Sequence, residues 1–431
     1  MKTSTGKLYL EKNLKLMNKK IFLFDWLTFS IYLVLSLFGI LNIYSSTFSE
    51  SEEFFNFSSP AFRQFLFMIL SVFVGVLIIN FNSNFFQQFS TLIYIFSIIL
   101  LLGLFIFGET IRASTSWYNF FGINFQPTDF AKLATSLAIA KFMCEIEINI
   151  KRNKDLLKLV ILISLPSILI MFQNDLGSSI VFTSFFFVFF REGLSYNYFT
   201  AILLILSLSI MALVLPTTLL FLIILFVILF LYSLSKKSNK KTKILPYILT
   251  LSASIIFILS VNYIFNNIFE QRHRDRINIF LGKEYDSKGI GYNLNQSIIA
   301  IGSGGLNGKG FLKGTQTKGD FVPEQHTDYI FSTIGEEWGF LGCFSLVFLY
   351  TILILRMIFR SENHKNKFCR IFSYSISSIL IVHFMINIGM SLGLFPTIGI
   401  PLPLISYGGS SFIAFSCMIF IYLNLDLNRL N

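Results

Sequence analysis

Long apolar segments alternate with short polar connectors along nearly the whole sequence. Phe, Ile and Leu dominate these segments, and many of them approach the roughly 20 residues that a helix needs to cross a bilayer. Only 13% of the 431 residues are charged, whereas ordinary soluble domains carry about 25%. The pattern predicts an all-α, polytopic membrane helix bundle that forms one domain over residues 1–431.

Twelve segments are predicted to cross the membrane. Two of them, 156–172 and 177–191, are short, and Pro216 can either separate two helices or kink one. The full set is 24–46, 61–80, 89–108, 127–147, 156–172, 177–191, 197–214, 216–234, 245–266, 327–357, 370–395 and 402–427.

The basic residues cluster in every second group of connectors. Residues 1–20 hold six Lys and one Glu, and the connectors after the fourth, eighth and tenth segments are also rich in Lys and Arg. The connector after the first segment, "SESEEFF", is acidic. Because cytoplasmic loops carry the excess of Lys and Arg, we expect a cytoplasmic tail at 1–20 and both termini in the cytoplasm. Because the basic residues lie in these connectors, we attribute the net charge of +11 to membrane topology rather than to nucleic-acid binding.

The longest connector, residues 267–326, is then expected on the extracytoplasmic side. Tyr292 and Phe311 alternate there with glycines, which favours a loop folded back onto the helices. The stretch "LGKEYDSKGIGYNLNQS" also carries two acids, Glu284 and Asp286. A connector this long inside a compact protein is usually functional or disordered. Its composition favours function but does not choose between the two acids.

The sequence lacks the common metal and nucleotide motifs. The four cysteines lie far apart without paired spacing, which argues against a zinc site or a disulfide framework. No H-x-x-x-H spacing occurs, and "GSGGLNGKG" at 302–310 lacks the Lys-Ser/Thr ending of a P-loop. We therefore predict no nucleotide site and assign no metal ligands.

One predicted helix begins with charged residues, in "FQPTDFAKLATSLAIAKF". Pro127 suits a first helical turn, and Asp129 and Lys132 stand three residues apart, so they share a face and can pair. Two interpretations stay open. Spacing alone favours a helix cap with an interfacial ion pair, whereas ionisable groups at membrane depth tend to be functional and would face a polar cavity. Asp175, in "QNDLGSS", is likewise a cap or a functional acid.

The stretch "GLFPTIGIPLPLISYGGSS" (393–411) combines prolines and glycines beside the last segment. This composition predicts broken or re-entrant backbone, which a membrane protein tolerates only where protein or a wet cavity covers it. Together with the long outer loop, it indicates a polar cavity that opens toward the outer leaflet.

These features occur as motifs that resemble those of the SEDS family (shape, elongation, division and sporulation), which includes RodA and FtsW. Its members have about ten spans, so the resemblance implies ten to twelve helices here, with the surplus in 197–266. "GTQ" and "NIGMSLGLFP" resemble RodA more than FtsW. The motifs are "RQ" at 63–64, "QPTDFAK" at 126–132, "QNDLG" at 173–177, "RDRI" at 274–277, "GIGYNLNQSIIAIGSGGLNGKG" at 289–310, "PEQHTDYIFSTIGEEWGFLG" at 323–342 and "PTIGIPLPLISYGGSS" at 396–411.

The resemblance implies an inverting peptidoglycan glycosyltransferase. It would polymerise lipid II at the outer face of the bacterial cytoplasmic (inner) membrane for cell elongation and shape, together with a class B penicillin-binding protein. The resemblance places the catalytic acid at Asp286, three residues before the G-x-G-Y motif that starts at Gly289. A carboxylate there can take the proton of a sugar hydroxyl, and cations can stabilise the leaving pyrophosphate.

A divalent cation, Mg²⁺ or Mn²⁺, is a further candidate for that stabilising role. The resemblance also implies a set of substrate-binding candidates, which are polar or charged residues of the motifs and their surroundings. They are Lys132, Asp129, Arg63, Arg112, Arg274, Arg276, Gln296, Ser297, His326, Asp328, Glu337 and Ser406.

The sequence departs from the family at several positions. Asp129 replaces a Glu, and its shorter side chain is expected to loosen the pairing with Lys132. Ser116 and Asn124 stand where arginines are usual, which weakens the case for a family-like phosphate contact, although Arg112 could substitute.

Three alternatives remain open. The same cavity and intramembrane charges would suit a flippase for lipid-linked precursors, with Asp129 and Lys132 as its switch. A scaffold for a class B penicillin-binding protein would need no chemistry at all. Within the enzyme hypothesis, the division branch typified by FtsW is the alternative to elongation.

Overall fold

The computed structural model describes residues 24–48, 56–111, 114–120, 123–145, 148–238, 243–283 and 289–428. Within these ranges the chain is predominantly helical. The helices are α1 (Trp26–Ser46), α2 (Pro60–Asn80), α3 (Ser83–Phe107), α4 (Pro127–Cys144), α5 (Asn153–Phe172), α6 (Leu176–Val181), α7 (Phe185–Arg191), α8 (Tyr196–Val214), α9 (Thr217–Ser238), α10 (Leu245–Tyr263), α11 (Gln271–Phe280), α12 (Ile290–Ser303), α13 (Thr315–Lys318), α14 (Ile330–Glu362), α15 (Lys367–Ser391) and α16 (Gly409–Leu427).

The predicted helical membrane bundle is confirmed. All twelve predicted segments contain helix, and in the part of the chain that the structure describes ten helices are long and apolar enough to cross a membrane. The two segments outside that group are α4, which carries Asp129, Lys132 and Lys141, and the stretch Leu176–Arg191, which is shorter. A 3-10 turn at Phe182–Ser184 separates α6 from α7 within that stretch.

The three segments predicted in 197–266 are three separate apolar helices, α8, α9 and α10. α8 ends at Val214 and α9 begins at Thr217, so Pro216 separates two helices rather than kinking one. The reason is local, because proline has no N–H to donate and disfavours helical backbone in the residue before it.

Two predicted boundaries were wrong near glycine-rich or proline-rich sequence. The segment expected at 327–357 is α14, which begins at Ile330 and is broken at Gly339, where φ is 63°. The last segment was expected from 402, but α16 begins at Gly409. Residues 395–402 lie outside helix and strand, as expected for broken backbone in this proline-rich stretch.

The chain divides into two compact units, one of residues 1–193 and 293–431 and the other of residues 194–292. In the first unit, α4, α15 and α16 are largely buried, whereas α2 and α3 expose many apolar side chains. α4 packs against α3, α15 and α16, and α16 also packs against α2. The first unit therefore has its core around α4, α15 and α16.

The second unit is built from α8, α9, α10 and α11. Its small core contains Ala212, Leu220, Ile224 and Ile258, and most other side chains of α8 and α10 are exposed and apolar. A turn of π-helix at Ile264–Ile268 follows α10. Such outward apolar faces are what a lipid environment requires of a spanning helix.

A small antiparallel sheet follows α3 in the first unit. Its strands are β1 (Glu109–Ile111), β2 (Ser114–Phe120) and β3 (Ile123–Phe125), in the order β1-β2-β3. The hydroxyl of Tyr118 donates to the carbonyl of Leu100 at 2.8 Å, and the N–H of Thr115 donates to the carbonyl of Gln173 at 3.0 Å. These bonds join the sheet to α3 and to the turn that follows α5. In the sequence, the sheet lies just before α4.

Candidate active site

Asp129 and Lys132 form a buried ion pair in the first turns of α4. The ammonium nitrogen of Lys132 lies 2.8 Å from Oδ1 of Asp129. Lys132 is 1% exposed and Asp129 is 2% exposed. Pro127 occupies the first turn of the helix, as predicted. The shorter acid was expected to loosen the pair, but this was wrong, because the spacing of three residues brings the Asp129 carboxylate within full hydrogen-bonding distance.

A third residue, His383 of α15, completes the surroundings of the Lys132 ammonium. Its Nε2 lies 3.1 Å from Nζ of Lys132, and its Nδ1 lies 3.1 Å from the carbonyl oxygen of Pro401. The ring of Phe415 lies 5.8 Å from Nζ and packs edge-on against the imidazole. Lys132 thus contacts an anion, an imidazole and an aromatic face at once.

Asp129 is less completely satisfied than Lys132. Its second carboxylate oxygen, Oδ2, is buried and has no hydrogen-bond partner among the described residues, and the hydroxyls of Thr128 and Thr135 on the same helix also have none there. Buried polar groups normally have partners. Oδ2 of Asp129 therefore has unused acceptor capacity among the described residues.

The proline-rich stretch beside α16 is held by hydrogen bonds within the stretch and to other parts of the first unit. The Ser406 hydroxyl donates to the carbonyl of Thr327 at 2.5 Å and accepts the N–H of Leu402 at 2.9 Å. Gln64 of α2 donates to the carbonyl of Ser406 at 3.4 Å and accepts the N–H of Gly408 at 3.3 Å. The predicted broken backbone is therefore covered by protein.

His326 and Asp328 are also linked to this stretch. The carbonyl of His326 accepts the N–H of Tyr407 at 2.9 Å, and the two rings lie 5.9 Å apart. Asn387 of α15 donates from its amide nitrogen to the carbonyls of Asp328 and Ile400, both at 2.8 Å. Gln64, His326, His383 and Asn387 thus all contact one segment, 400–408, and Lys132 is linked to it through His383.

A second cluster is centred on Glu336 of α14, which is fully buried. Lys309 donates to its Oε1 at 2.8 Å, and the Gln316 and Thr317 N–H groups donate to its two oxygens at 2.8 Å each. The hydroxyls of Thr315 and Thr317 add two further bonds. Five donors, all from residues 309–317, therefore hold this segment of the loop against α14.

Glycines let the neighbouring loop backbone approach α14 closely. The N–H groups of Lys309 and Gly310 donate to the carbonyls of Glu336 and Glu337 at 2.9 Å each. A Cβ on Gly308, where φ is +76°, would lie 2.1 Å from the Glu337 carbonyl oxygen. This part of the predicted outer loop is thus folded onto the helices, as its composition indicated.

Several substrate-binding candidates have structural contacts. Arg63 is exposed and donates from Nε to the carbonyl of Phe57 at 2.7 Å. The Ser297 hydroxyl donates to the carbonyl of Ser391 at 2.9 Å, and the buried Glu337 accepts a hydrogen bond from Ser45. Gln296 is partly buried on α12.

The basic helix α11 lies in the second unit. Arg274 donates to the carbonyl of Asn266 at 2.9 Å, and Arg276 lies on the same helix. Burial, and then the neighbouring charges of Arg272 and Arg276, lower the pKa of His273 below its usual value. The positive charge of α11 at neutral pH therefore comes from its arginines.

Asp175 acts as a helix cap, one of the two interpretations left open. Its Oδ1 accepts the N–H of Ser178 at 3.0 Å at the start of α6. Its Oδ2 accepts a hydrogen bond from the side chain of Gln126 at 3.2 Å. These two bonds tie the start of α6 to the residue that precedes α4.

The predicted catalytic acid Asp286, its alternative Glu284 and the candidate Arg112 lie outside the described residues. Ser116, at the position of a missing family arginine, is buried and pairs with Ser114. Within the described ranges, no three His, Cys, Asp or Glu side chains come together as a metal ligand set.

Sequence reasoning missed His383 and the role of Glu336. A lone His in an otherwise apolar span was the available signal for His383, because ionisable residues are rare at membrane depth. The donors to Glu336 could not be found in this way, since most are backbone and hydroxyl groups of a loop about twenty residues away.

Comparison with known proteins covers nearly the whole chain. The sequence model of the FtsW, RodA and SpoVE cell cycle proteins matches residues 25–217 and 210–430. The peptidoglycan glycosyltransferase MrdB of Escherichia coli K12 is 32% identical over 338 residues, which cover 78% of this chain and 77% of the relative. The peptidoglycan glycosyltransferase RodA of Treponema pallidum is 30% identical over 413 residues, 90% of this chain and 94% of the relative.

Two solved structures show the same fold. A chain from a peptidoglycan synthase complex, studied for the coordination of polymerisation and crosslinking, aligns with a TM-score of 0.70 and 23% identity over 94% of this chain and 98% of that one. The rod shape determining protein RodA of Thermus thermophilus aligns with a TM-score of 0.61 and 22% identity over 95% and 98%.

Proposed function

Because this chain belongs to the FtsW, RodA and SpoVE family of cell cycle proteins, we propose that it polymerises lipid II into glycan strands with Asp286 as the general base. The chain is a peptidoglycan glycosyltransferase, the activity by which its curated relatives are named. Lipid II as the substrate and Asp286 as the base are the parts that the proposal adds.

The proposed reaction is a single displacement at a sugar carbon. The oxygen of the acceptor hydroxyl bonds to the anomeric carbon of the donor, and the bond from that carbon to the pyrophosphate breaks. The hydroxyl proton passes to the Asp286 carboxylate, and the bonding electron pair leaves with the lipid pyrophosphate. One base suffices for an inverting reaction, because no covalent enzyme intermediate forms.

Within the helix bundle, the observation that supports the proposal is the buried ion pair of Asp129 and Lys132. A buried ion pair is weak evidence for stability, because desolvation offsets much of the attraction. The free oxygen of Asp129 supports a functional explanation, since it is an acceptor for a polar group that the described residues do not supply. In the proposed reaction the ammonium of Lys132 supplies positive charge for the departing pyrophosphate.

The membrane setting of the reaction follows from the fold and the charge pattern. The chain is a multi-pass membrane protein with ten helices apt to span, among the residues that the structure describes. We place it in the bacterial inner membrane with both termini cytoplasmic, because the basic connectors lie on one predicted side. Residues 267–326 then carry Asp286 on the outer side.

The partner in this proposal is a class B penicillin-binding protein. The similarity to a chain of a peptidoglycan synthase complex supports an assembly that pairs strand synthesis with crosslinking. "GTQ" and "NIGMSLGLFP" favour the elongation branch, in which the protein maintains cell shape.

Labelled lipid II supplied to the purified chain, alone and with its penicillin-binding partner, tests this function. We expect wild-type protein and Glu284→Ala to form glycan chains and Asp286→Ala to form none. Transport instead predicts lipid II movement across vesicles that survives Asp286→Ala but not loss of Lys132. A scaffold predicts no product with any variant, and chain growth by Asp286→Ala but not by Glu284→Ala would move the role to Glu284.

A further inference from the structure

His383 has an environment that fixes the roles of both its ring nitrogens. The residue is 1% exposed and lies on α15 among apolar side chains. Nδ1 faces the Pro401 carbonyl at 3.1 Å, and Nε2 faces the Lys132 ammonium at 3.1 Å. A carbonyl oxygen only accepts hydrogen bonds and an ammonium only donates them.

These contacts require one tautomer of a neutral imidazole. Nδ1 carries the hydrogen and donates it to Pro401, so Nε2 has a free lone pair that accepts from Lys132. A protonated ring would place two donors against an acceptor and a cation, which the second contact excludes. Lys132 is the charged group in direct contact with His383, and Asp129 pairs with Lys132.

His383 therefore fixes the direction of the Lys132 ammonium. Nζ of Lys132 has three hydrogens. Oδ1 of Asp129, on α4, accepts one of them, and Nε2 of His383, on α15, accepts another. Without the imidazole the flexible side chain would keep one directional acceptor and could rotate about its bond to Asp129. The Pro401 contact in turn fixes the ring, so Lys132 is aligned with the proline-rich stretch.

Asn387 provides an internal comparison one helical turn away. It lies on the same face of α15, is equally buried, and donates to Ile400, the neighbour of Pro401. Both residues therefore fasten α15 to the proline-rich stretch. Only His383 also contacts Lys132.

We propose that His383 is a positioning residue for the glycosyl transfer, acting through Lys132, whose ammonium it holds in one orientation beside Asp129. The proposal rests on the function proposed above. It adds a specific task for a histidine to which the function proposed above gives no role.

Polymerisation kinetics of full-length variants with the penicillin-binding partner test this role. We compare His383→Leu, which removes the acceptor, with His383→Gln, which keeps an amide oxygen to accept from Lys132. We expect His383→Leu to lower kcat about tenfold with KM changed less than about threefold, and His383→Gln to recover most of kcat. Asn387→Leu serves as the matched control for loss of a bond to the proline-rich stretch.

A double-mutant cycle separates positioning from general support of the fold. If His383 acts through Lys132, His383→Leu has little further effect in a Lys132→Met background, because interacting residues are not additive. Full additivity of the two changes would overturn the proposal, as would equal losses of kcat in His383→Leu, His383→Gln and Asn387→Leu at equal thermal stability.

The proposal and the function beneath it fail in different ways. Wild-type enzyme that makes no glycan chains contradicts the proposed function. Wild-type enzyme that makes chains, and loses this activity with Asp286→Ala but not with Lys132→Met, leaves the function intact and overturns the role of His383.

Discussion

Glu336 and Asp129 are both buried carboxylates of the first unit, yet their surroundings differ. Glu336 accepts five hydrogen bonds from Lys309 and residues 315–317. Asp129 accepts one from Lys132, and its second oxygen has no partner in the described parts of the chain. One carboxylate is saturated, whereas the other has unused capacity.

The number of hydrogen bonds that a buried carboxylate accepts can distinguish a charge that supports the fold from a charge that is available for function. A charge surrounded by its own donors stabilises the fold, because each bond to a charged group contributes about 1.5–3 kcal/mol. A buried acceptor without a partner costs stability, and such an atom needs an explanation because buried polar groups normally have partners. We therefore propose that Glu336 anchors the loop at 309–317 and that Asp129 serves the reaction.

Among the variants that test this comparison of Glu336 with Asp129, the largest effect on polymerisation is expected from replacing the whole pair, as Asp129→Leu combined with Lys132→Met. Polymerisation should fall on the order of 100-fold, because a preorganised charge near the leaving group is lost. The free energy of unfolding should stay unchanged or rise by about 1–4 kcal/mol, as for other buried pairs replaced by apolar residues. Activity assays and denaturation of the same preparations measure the polymerisation rate and the free energy of unfolding. Activity within threefold of wild type would contradict a functional role for Asp129 and with it the contrast to Glu336.

Glu336→Gln should show the opposite pattern. We expect the free energy of unfolding to fall by about 2 kcal/mol, since a neutral amide bonds its donors more weakly than a carboxylate. Polymerisation per folded molecule should change less than about threefold. Glu362→Gln on the same helix is the matched control, because its surface pair with Arg191 contributes at most about 1 kcal/mol. A large loss of activity without a loss of stability would place Glu336 in the site.

A much smaller effect on polymerisation than from loss of the whole pair is expected from Asp129→Glu, which adds one methylene to the buried pair. Lys132 is already 2.8 Å from the Asp129 carboxylate, so the longer acid gains no contact and must fit a packed space. Overpacking of this kind costs about 1–3 kcal/mol of stability, and we expect polymerisation to change only a few fold. A gain above wild type in the same assay would show that the shorter acid limits the reaction.

Much of the fold could be predicted because apolar length and charge are local properties of the chain. All twelve predicted segments contain helix, and Pro127 begins α4 as expected. The boundaries failed where backbone depends on distant packing. Gly339 breaks α14 where the loop glycine Gly308 approaches it, and spacing along the sequence does not reveal that contact.

The candidate site was predictable only in part for the same reason. Asp129 and Lys132 lie on one helix turn, so their pairing follows from spacing. His383 and Pro401 join them from about 250 residues further along the chain, and only the packing of α4 against α15 brings them together. The preference for Asp286 over Glu284 came from family resemblance and remains a prediction.

The central claim, that Asp286 is the general base, is tested most directly by the initial rate of lipid II polymerisation by Asp286→Asn. The same sample should be assayed for lipid II binding, and Glu284→Gln should be run as the matched control. Loss of a general base typically lowers the rate about 10²- to 10⁴-fold, so we predict a fall in this range with binding changed less than threefold and Glu284→Gln near wild type. Polymerisation by Asp286→Asn at the wild-type rate would contradict the claim.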